Sequence, residues 1–166
     1  MKTFLILFVA FAACLAPAQG WITLKPAQAG FSVQLPSKPQ TSTRNDQDQG
    51  VSVKTQLFVS VTSTANYVVS VSYLPRNAPA SFSKNMMDGV KKGLLSSTGG
   101  TATSDAAQAY NGYNGRLVKF RTGNGANGAV WMFSNAGKVY TLTLGKKSGS
   151  YDAEIQKFFG SFRIVG

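Results

Sequence analysis

VSVKTQLFVSV, residues 51–61, and YVVSVSY, residues 67–73, decide the fold of this chain. In the first, Val51, Val53, Thr55, Leu57, Val59 and Val61 fall on one side of an extended chain, and Ser52, Lys54, Gln56 and Ser60 on the other. Such a period of two marks a strand, because successive side chains alternate across a pleated backbone. In the second, Tyr67, Val69, Val71 and Tyr73 share a face, with Thr64-Ala65-Asn66 leading into it. Residues 51–74 therefore read as a long antiparallel hairpin.

Upstream, Phe31, Val33 and Leu35 alternate with Ser32 and Gln34 until Pro36 stops the run, which predicts a half-buried strand. Between it and the hairpin, Arg44 to Gly50 reads as a polar turn. Downstream the period changes. From Ser81, a plausible N-cap, Phe82, Met86, Val90 and Leu94 recur every four residues, with Met87 and Leu95 widening the stripe, and Gly99-Gly100 is a stop signal. This predicts an amphipathic helix lying on a sheet, its methionines filling core rather than forming a cofactor box. Strands are expected again near 101–109, 116–122, 129–134 and 139–144, with Asn135 to Lys138 as a tight turn. The tandem Tyr110-Asn111-Gly112 and Tyr113-Asn114-Gly115 reads as consecutive turns. Asp152 and Glu154 suit the first turn of a second helix, and Ile155, Phe158, Phe159 and Phe162 its buried face. Gly160 ends that helix; Phe162 fits its spacing and equally the short strand of residues 162–165.

The chain of 166 residues opens with Lys2, an apolar run over Phe4 to Ala13, and Ala16-Pro17-Ala18. That is the pattern of a cleaved export signal over residues 1–18, too short to span a bilayer, and no later run is long enough to span one. Phe11-Ala12-Ala13-Cys14 loosely matches a lipobox, so anchoring through Cys14 is the alternative to a free secreted or periplasmic form. Residues 19–166 read as one α+β domain, about 148 residues without cysteine or histidine, which must be stabilised by packing alone. Lysine and arginine number 17 against six acidic residues, a net charge of +11. That surplus favours anionic partners electrostatically without choosing among them.

Chemistry is constrained mainly by what is missing. Without histidine there is no Ser-His-Asp triad and no imidazole ligand, and without a cysteine after residue 18 there is no thiol nucleophile or zinc cluster. No catalytic residue, metal site or cofactor is expected. GNGANG, residues 123–128, matches the G-x-G-x-x-G dinucleotide fingerprint, but that motif needs a helix after its turn and an acid about 20 residues on. Here Ala129 to Phe133 reads as a strand, and Thr143 to Lys147 holds no acid, so the glycines predict a hairpin loop. Asp46 and Asp48 lack the remainder of a calcium loop. Ser81-Phe82-Ser83-Lys84 matches S-x-x-K in spacing, yet Phe82 is on the core stripe and no companion motif follows. Asp88 is placed for an i,i+4 pair with Lys92. No signature of a specific nucleic-acid-binding module occurs.

Several patterns together resemble the PsbP-like family: Trp21 with Gly30-Phe31-Ser32-Val33-Gln34-Leu35-Pro36; Gly112-Tyr113-Asn114-Gly115-Arg116; Lys138-Val139-Tyr140-Thr141-Leu142; and Phe158-Phe159-Gly160-Ser161-Phe162-Arg163-Ile164. The resemblance spans nearly all of residues 19–166. It implies an α/β/α sandwich with a central antiparallel sheet and two main helices. Members include an extrinsic accessory subunit of photosystem II, Ran-binding nuclear import factors, periplasmic lipoproteins and many exported bacterial proteins. The metal-binding histidines of some photosystem members have no counterpart here, and fold alone does not carry function across such a family. The expectation is a monomeric, non-enzymatic binding or accessory protein of the bacterial envelope, engaging an acidic protein surface or an anionic envelope component. Lys91, Lys92, Lys119, Arg121, Lys146 and Lys147 are its candidate contact residues. The alternatives are a carrier of a small apolar or lipidic ligand held between helix and sheet, and a hydrolase.

Overall fold

The computed structural model describes residues 20–48, 51–79 and 81–165. The leader expected at 1–18, including Cys14, lies outside the described residues. In chain order the elements are β1 (Ile22–Leu24), β2 (Phe31–Leu35), β3 (Gln40–Asp48), β4 (Val51–Val61), β5 (Ala65–Tyr73), α1 (Phe82–Thr98), β6 (Thr101–Tyr110), β7 (Tyr113–Arg121), β8 (Asn127–Asn135), β9 (Lys138–Lys146), α2 (Asp152–Gly160) and β10 (Arg163–Ile164).

Seven strands form one antiparallel sheet in the order β3-β4-β5-β9-β8-β7-β6. β3 to β5 make a meander. α1 then carries the chain across one face to the far edge, and β6 to β9 return strand by strand until Val69 of β5 lies opposite Leu142 of β9. The opposite face is covered by α2 and by a small antiparallel sheet, β1-β2-β10. The arrangement is the expected three-layered sandwich, with the small sheet added to the α2 layer.

Both faces of the large sheet are covered, and this decides which residues are core. On the α2 side, Phe58, Tyr67, Val69, Val71, Trp131, Phe133, Tyr140, Leu142 and Leu144 pack against Phe31, Val33, Leu35, Ile155, Phe158, Phe159 and Phe162. Phe162 is fully buried, its ring centroid 5.3 Å from that of Tyr140 and 5.5 Å from those of Phe31 and Phe133. On the α1 side, Phe82 and Met86 meet Val53 and Val139, while Leu94 meets Val118, Phe120, Val130 and Met132. Along these contacts the space between each helix and the sheet is filled by the chain's own side chains. β4 consequently departs from the one-sided alternation read in its sequence. Val53 and Thr55 are buried on the α1 face, Phe58 and Ser60 on the α2 face, and Val61 is 44% exposed where α1 no longer covers the sheet.

Three local expectations are corrected. Arg44 to Asp48 is not a turn but the second half of β3, paired residue by residue with β4 from Asp48↔Val51 to Gln40↔Val59. An edge strand with solvent on it needs no apolar alternation, because the ladder to its neighbour holds it extended. Ser81 stands at the N-cap position of α1, but its side chain makes no capping hydrogen bond. Of the tandem Tyr-Asn-Gly pair, only the first is a turn, with Asn111 and Gly112 both at positive φ (53° and 81°). Gly115 lies within β7, where a Cβ would stand 2.3 Å from Trp131 Nε1. Glycine there lets the indole cross β7 and donate to the Gln108 carbonyl of the edge strand at 3.0 Å.

Candidate functional site

The GNGANG segment is the β7–β8 hairpin loop, as its flanking strands predicted, and each glycine has a structural role. Gly123 N–H donates to the carbonyl of Thr98 at the end of α1, at 3.0 Å. Gly125 adopts φ 85° inside the turn closed by Thr122 and Ala126. Gly128 is already in β8, where a Cβ would meet the Phe120 ring at 2.2 Å. No helix follows the loop, so the free N–H groups that a pyrophosphate requires are not presented.

Four of the six candidate basic residues gather at the same end of the sheet. The register runs Arg121↔Asn127↔Lys146, so two strand spacings, about 10 Å, separate Arg121 from Lys146. Lys147 follows directly, and Lys119 lies one pleat back from Arg121 on the α2 face. Two of these are engaged internally. Lys119 pairs with Asp152 at 2.9 Å and lies over the Tyr151 ring; Lys146 pairs with Glu154 and donates to the Ser150 carbonyl at 2.7 Å. Both clamp the first turn of α2, whose acids were read in sequence only as partners of the helix dipole. Lys91 and Lys92 sit apart, on the exposed side of α1. Lys91 reaches Asp105 of β6 at 2.6 Å. Of the six, Lys92, Arg121 and Lys147 are therefore left exposed without a carboxylate partner among the described residues.

Asp88 does not pair with Lys92, as its i,i+4 spacing predicted. It takes Lys84, at 2.9 Å, and Arg116 of β7. Arg116 in turn chelates Asp105 through Nε and Nη2 at 2.6 and 2.7 Å, so Lys84, Asp88, Arg116, Asp105 and Lys91 form one network tying α1 to β6 and β7. Lys84 of the S-x-x-K match belongs to this network. The hydrogen bonds from Arg116 and Lys91 hold the Asp105 carboxyl far below its ordinary value, and those from Lys84 and Arg116 lower Asp88. Lys146 lowers Glu154 in the same way, and Asp152 raises Lys119.

A separation of charge results. Arg44 Nε lies 2.8 Å from Asp46 Oδ2, an ion contact without hydrogen-bond alignment. Every acidic side chain among the described ones, Asp46, Asp88, Asp105, Asp152 and Glu154, is thus held by a base. Lys25, Lys38, Lys54, Arg76, Lys92, Arg121, Lys147, Lys157 and Arg163 are exposed with no carboxylate partner among the described residues.

Beside Lys147 the α1 face of the sheet opens into a cavity of about 500 Å³, between the end of α1, the β7–β8 loop and the ends of β5 and β9. Asn66, Thr143 and Gly145 contribute from the strands, Ser97 and Thr98 from the helix, and Thr122, Asn124 and Asn127 from around the loop. No acidic side chain among the described residues lines it. Of the residues read from sequence as contacts, only Lys146 and Lys147 border this cavity; Asn66, Asn124 and Thr143 carry no local signal, because they meet only through strand pairing.

No protein-family model matches the chain, and no curated protein matches it. Among solved structures, the solution structure of cyanobacterial PsbP (CyanoP) from Synechocystis is similar over 93% of this chain and 98% of that one, with a TM-score of 0.61 at 14% identity. The fold is PsbP-like. A Bacteroides thetaiotaomicron crystal structure overlaps 87% of this chain and 48% of its own length, with a TM-score of 0.49 and 14% identity. The likeness to PsbP is one of architecture. Among the described residues, no helix is long and apolar enough to cross a membrane.

Proposed function

We propose that this PsbP-like chain is a non-enzymatic binding or accessory protein that docks an anionic partner, an acidic protein surface or an anionic component of the bacterial envelope. The observation that carries the reading is the charge separation: among the described side chains the carboxylates lie in ion pairs, and the cations without a carboxylate partner face solvent. A surface of one sign attracts and orients an oppositely charged partner from a distance. The same ion pairs support a role without catalysis, because carboxylates held ionised by lysine and arginine are weak proton donors and acceptors near neutral pH. A secreted or periplasmic location rests on the pattern of residues 1–18, and action as a monomer is part of the proposal.

The test is a cross-linked pull-down of the purified protein at moderate salt, with mass spectrometry of what is retained. Wild type is expected to hold one stoichiometric partner, and Arg121→Glu with Lys147→Glu to reduce its recovery at least tenfold. Recovery only of assorted polyanions that wash off as salt rises would show that the charge is nonspecific and would sink the proposal.

A further inference from the structure

Gly145 has no structural reason to be glycine. It lies within β9, opposite Asn66 on one side and Gly128 on the other. Its φ is outside the positive range, and a Cβ built on it meets nothing within 4 Å. Gly128 beside it is different, since the Phe120 ring occupies the space above it. A glycine inside a strand weakens that strand unless a bulge, a neighbouring backbone or a ligand needs the room. At Gly145 no bulge interrupts the register, and no atom of the described residues lies within 4 Å of where a Cβ would stand.

The open space above Gly145 is the cavity at the end of α1, and its lining specifies a ligand class. Thr122 Oγ1 donates to Asn124 Oδ1, and the Ala126 N–H also approaches that oxygen, so the Asn124 amide NH₂ is left to donate. Asn66, Thr143 and Lys147 make no side-chain hydrogen bond among the described residues. The cavity therefore presents hydroxyl and amide groups of both polarities and two lysines, of which Lys146 is already paired with Glu154 and Lys147 has no carboxylate partner among the described residues, in a volume within the usual range for small-molecule sites.

We propose that this cavity binds a small anionic, hydroxyl-rich molecule of the sugar-acid class, with Lys147 taking the carboxylate, Asn66, Asn124 and Thr143 the hydroxyls, and Gly145 kept bare so that the ring rests on the strand. The inference deepens the reading above and rests on it for the sign of the ligand's charge. A free sugar acid and the terminal residue of an acidic polysaccharide share this chemistry.

The experiment titrates ¹⁵N-labelled protein with glucuronate, glucose and polygalacturonate, following amide shifts. Glucuronate is expected to shift Asn66, Asn124, Thr143, Gly145 and Lys147 saturably, and glucose at least tenfold more weakly. Polygalacturonate shifting the same amides assigns the terminal residue of a chain; silence from it while glucuronate binds assigns the free acid. Gly145→Leu places a Cβ that meets nothing within 4 Å and directs its side chain toward the cavity, so it is expected to keep the wild-type spectrum elsewhere and lose glucuronate affinity at least tenfold, and Lys147→Gln to erase the preference over glucose. Absence of saturable shifts with every probe, or glucuronate binding that survives Gly145→Leu, overturns the proposal. Gly145→Leu leaves the net charge unaltered, so the pull-down reports on the surface reading independently.

Discussion

Replacing Arg116 by methionine tests whether the ion-pair network holds α1 on the sheet. Methionine keeps an unbranched apolar stem against the strand and removes the guanidinium, so the change isolates charge from packing. Arg116 makes two hydrogen bonds to Asp105 and one to Asp88, with side chains 32%, 27% and 43% exposed respectively. Exposed pairs contribute about 0.2–1 kcal/mol each, bidentate geometry placing the Asp105 pair at the upper end, and each acid retains a lysine after the substitution. The expected loss is therefore about 1–2 kcal/mol, which for a domain of this size lowers Tm by about 2–8 °C. Both carboxyls are lowered in the folded state. Their stabilisation is present above the unfolded value, near 3.9, and lost as pH falls through the folded value. The deficit of Arg116→Met should accordingly be steady from about pH 5 to 8, shrink below about pH 4, and be reduced by salt. Urea unfolding across that pH range, with Asp105→Asn completing a double-mutant cycle, measures it. A variant within about 0.3 kcal/mol of wild type in low salt, or a deficit that grows on acidification, would refute the reasoning.

Phe162→Ala removes a fully buried ring on which the aromatic cluster of the α2 layer converges. It should cost about 3–5 kcal/mol by urea unfolding, a large share of ordinary domain stability, while Phe162→Leu costs about 1.5 kcal/mol or less; equal effects from the two would count against a packed ring site. In alkali, burial pushes the Tyr67 and Tyr140 phenols up to about 12, with the Glu154 charge adding to the effect at Tyr67 and Tyr73 and Tyr113 adding at Tyr140. Because unfolded tyrosine ionises near 10, the stability this shift represents is complete below about pH 10 and lost between about pH 10 and 12. Spectrophotometric titration should find these two phenols ionising as the fold is lost, and their ionisation near pH 10 in folded protein would contradict the burial seen here.

The period-two runs of β2, β4 and β5 and the four-residue stripe of α1 were legible because each pattern is local: which side chains share a face follows from backbone geometry alone. The GNGANG loop belongs with them, since the strand after it already excluded a nucleotide turn. β3 was not legible, because its polar residues carry no alternation and its extension depends on a ladder to β4. Gly115 likewise reads as a turn until Trp131 is found lying across it. Charge was the least legible property. The sequence by itself determined the surplus of lysine and arginine and the scarcity of acids, which are sums over the chain. Only the tertiary structure decided that Lys91, Lys119 and Lys146 are engaged internally, that Asp88 turns to Arg116 rather than Lys92, and that Lys147 borders a cavity floored by Gly145. Ion pairs act over a few ångströms between residues distant in sequence, so their partners exist only once strand order and register have brought them together.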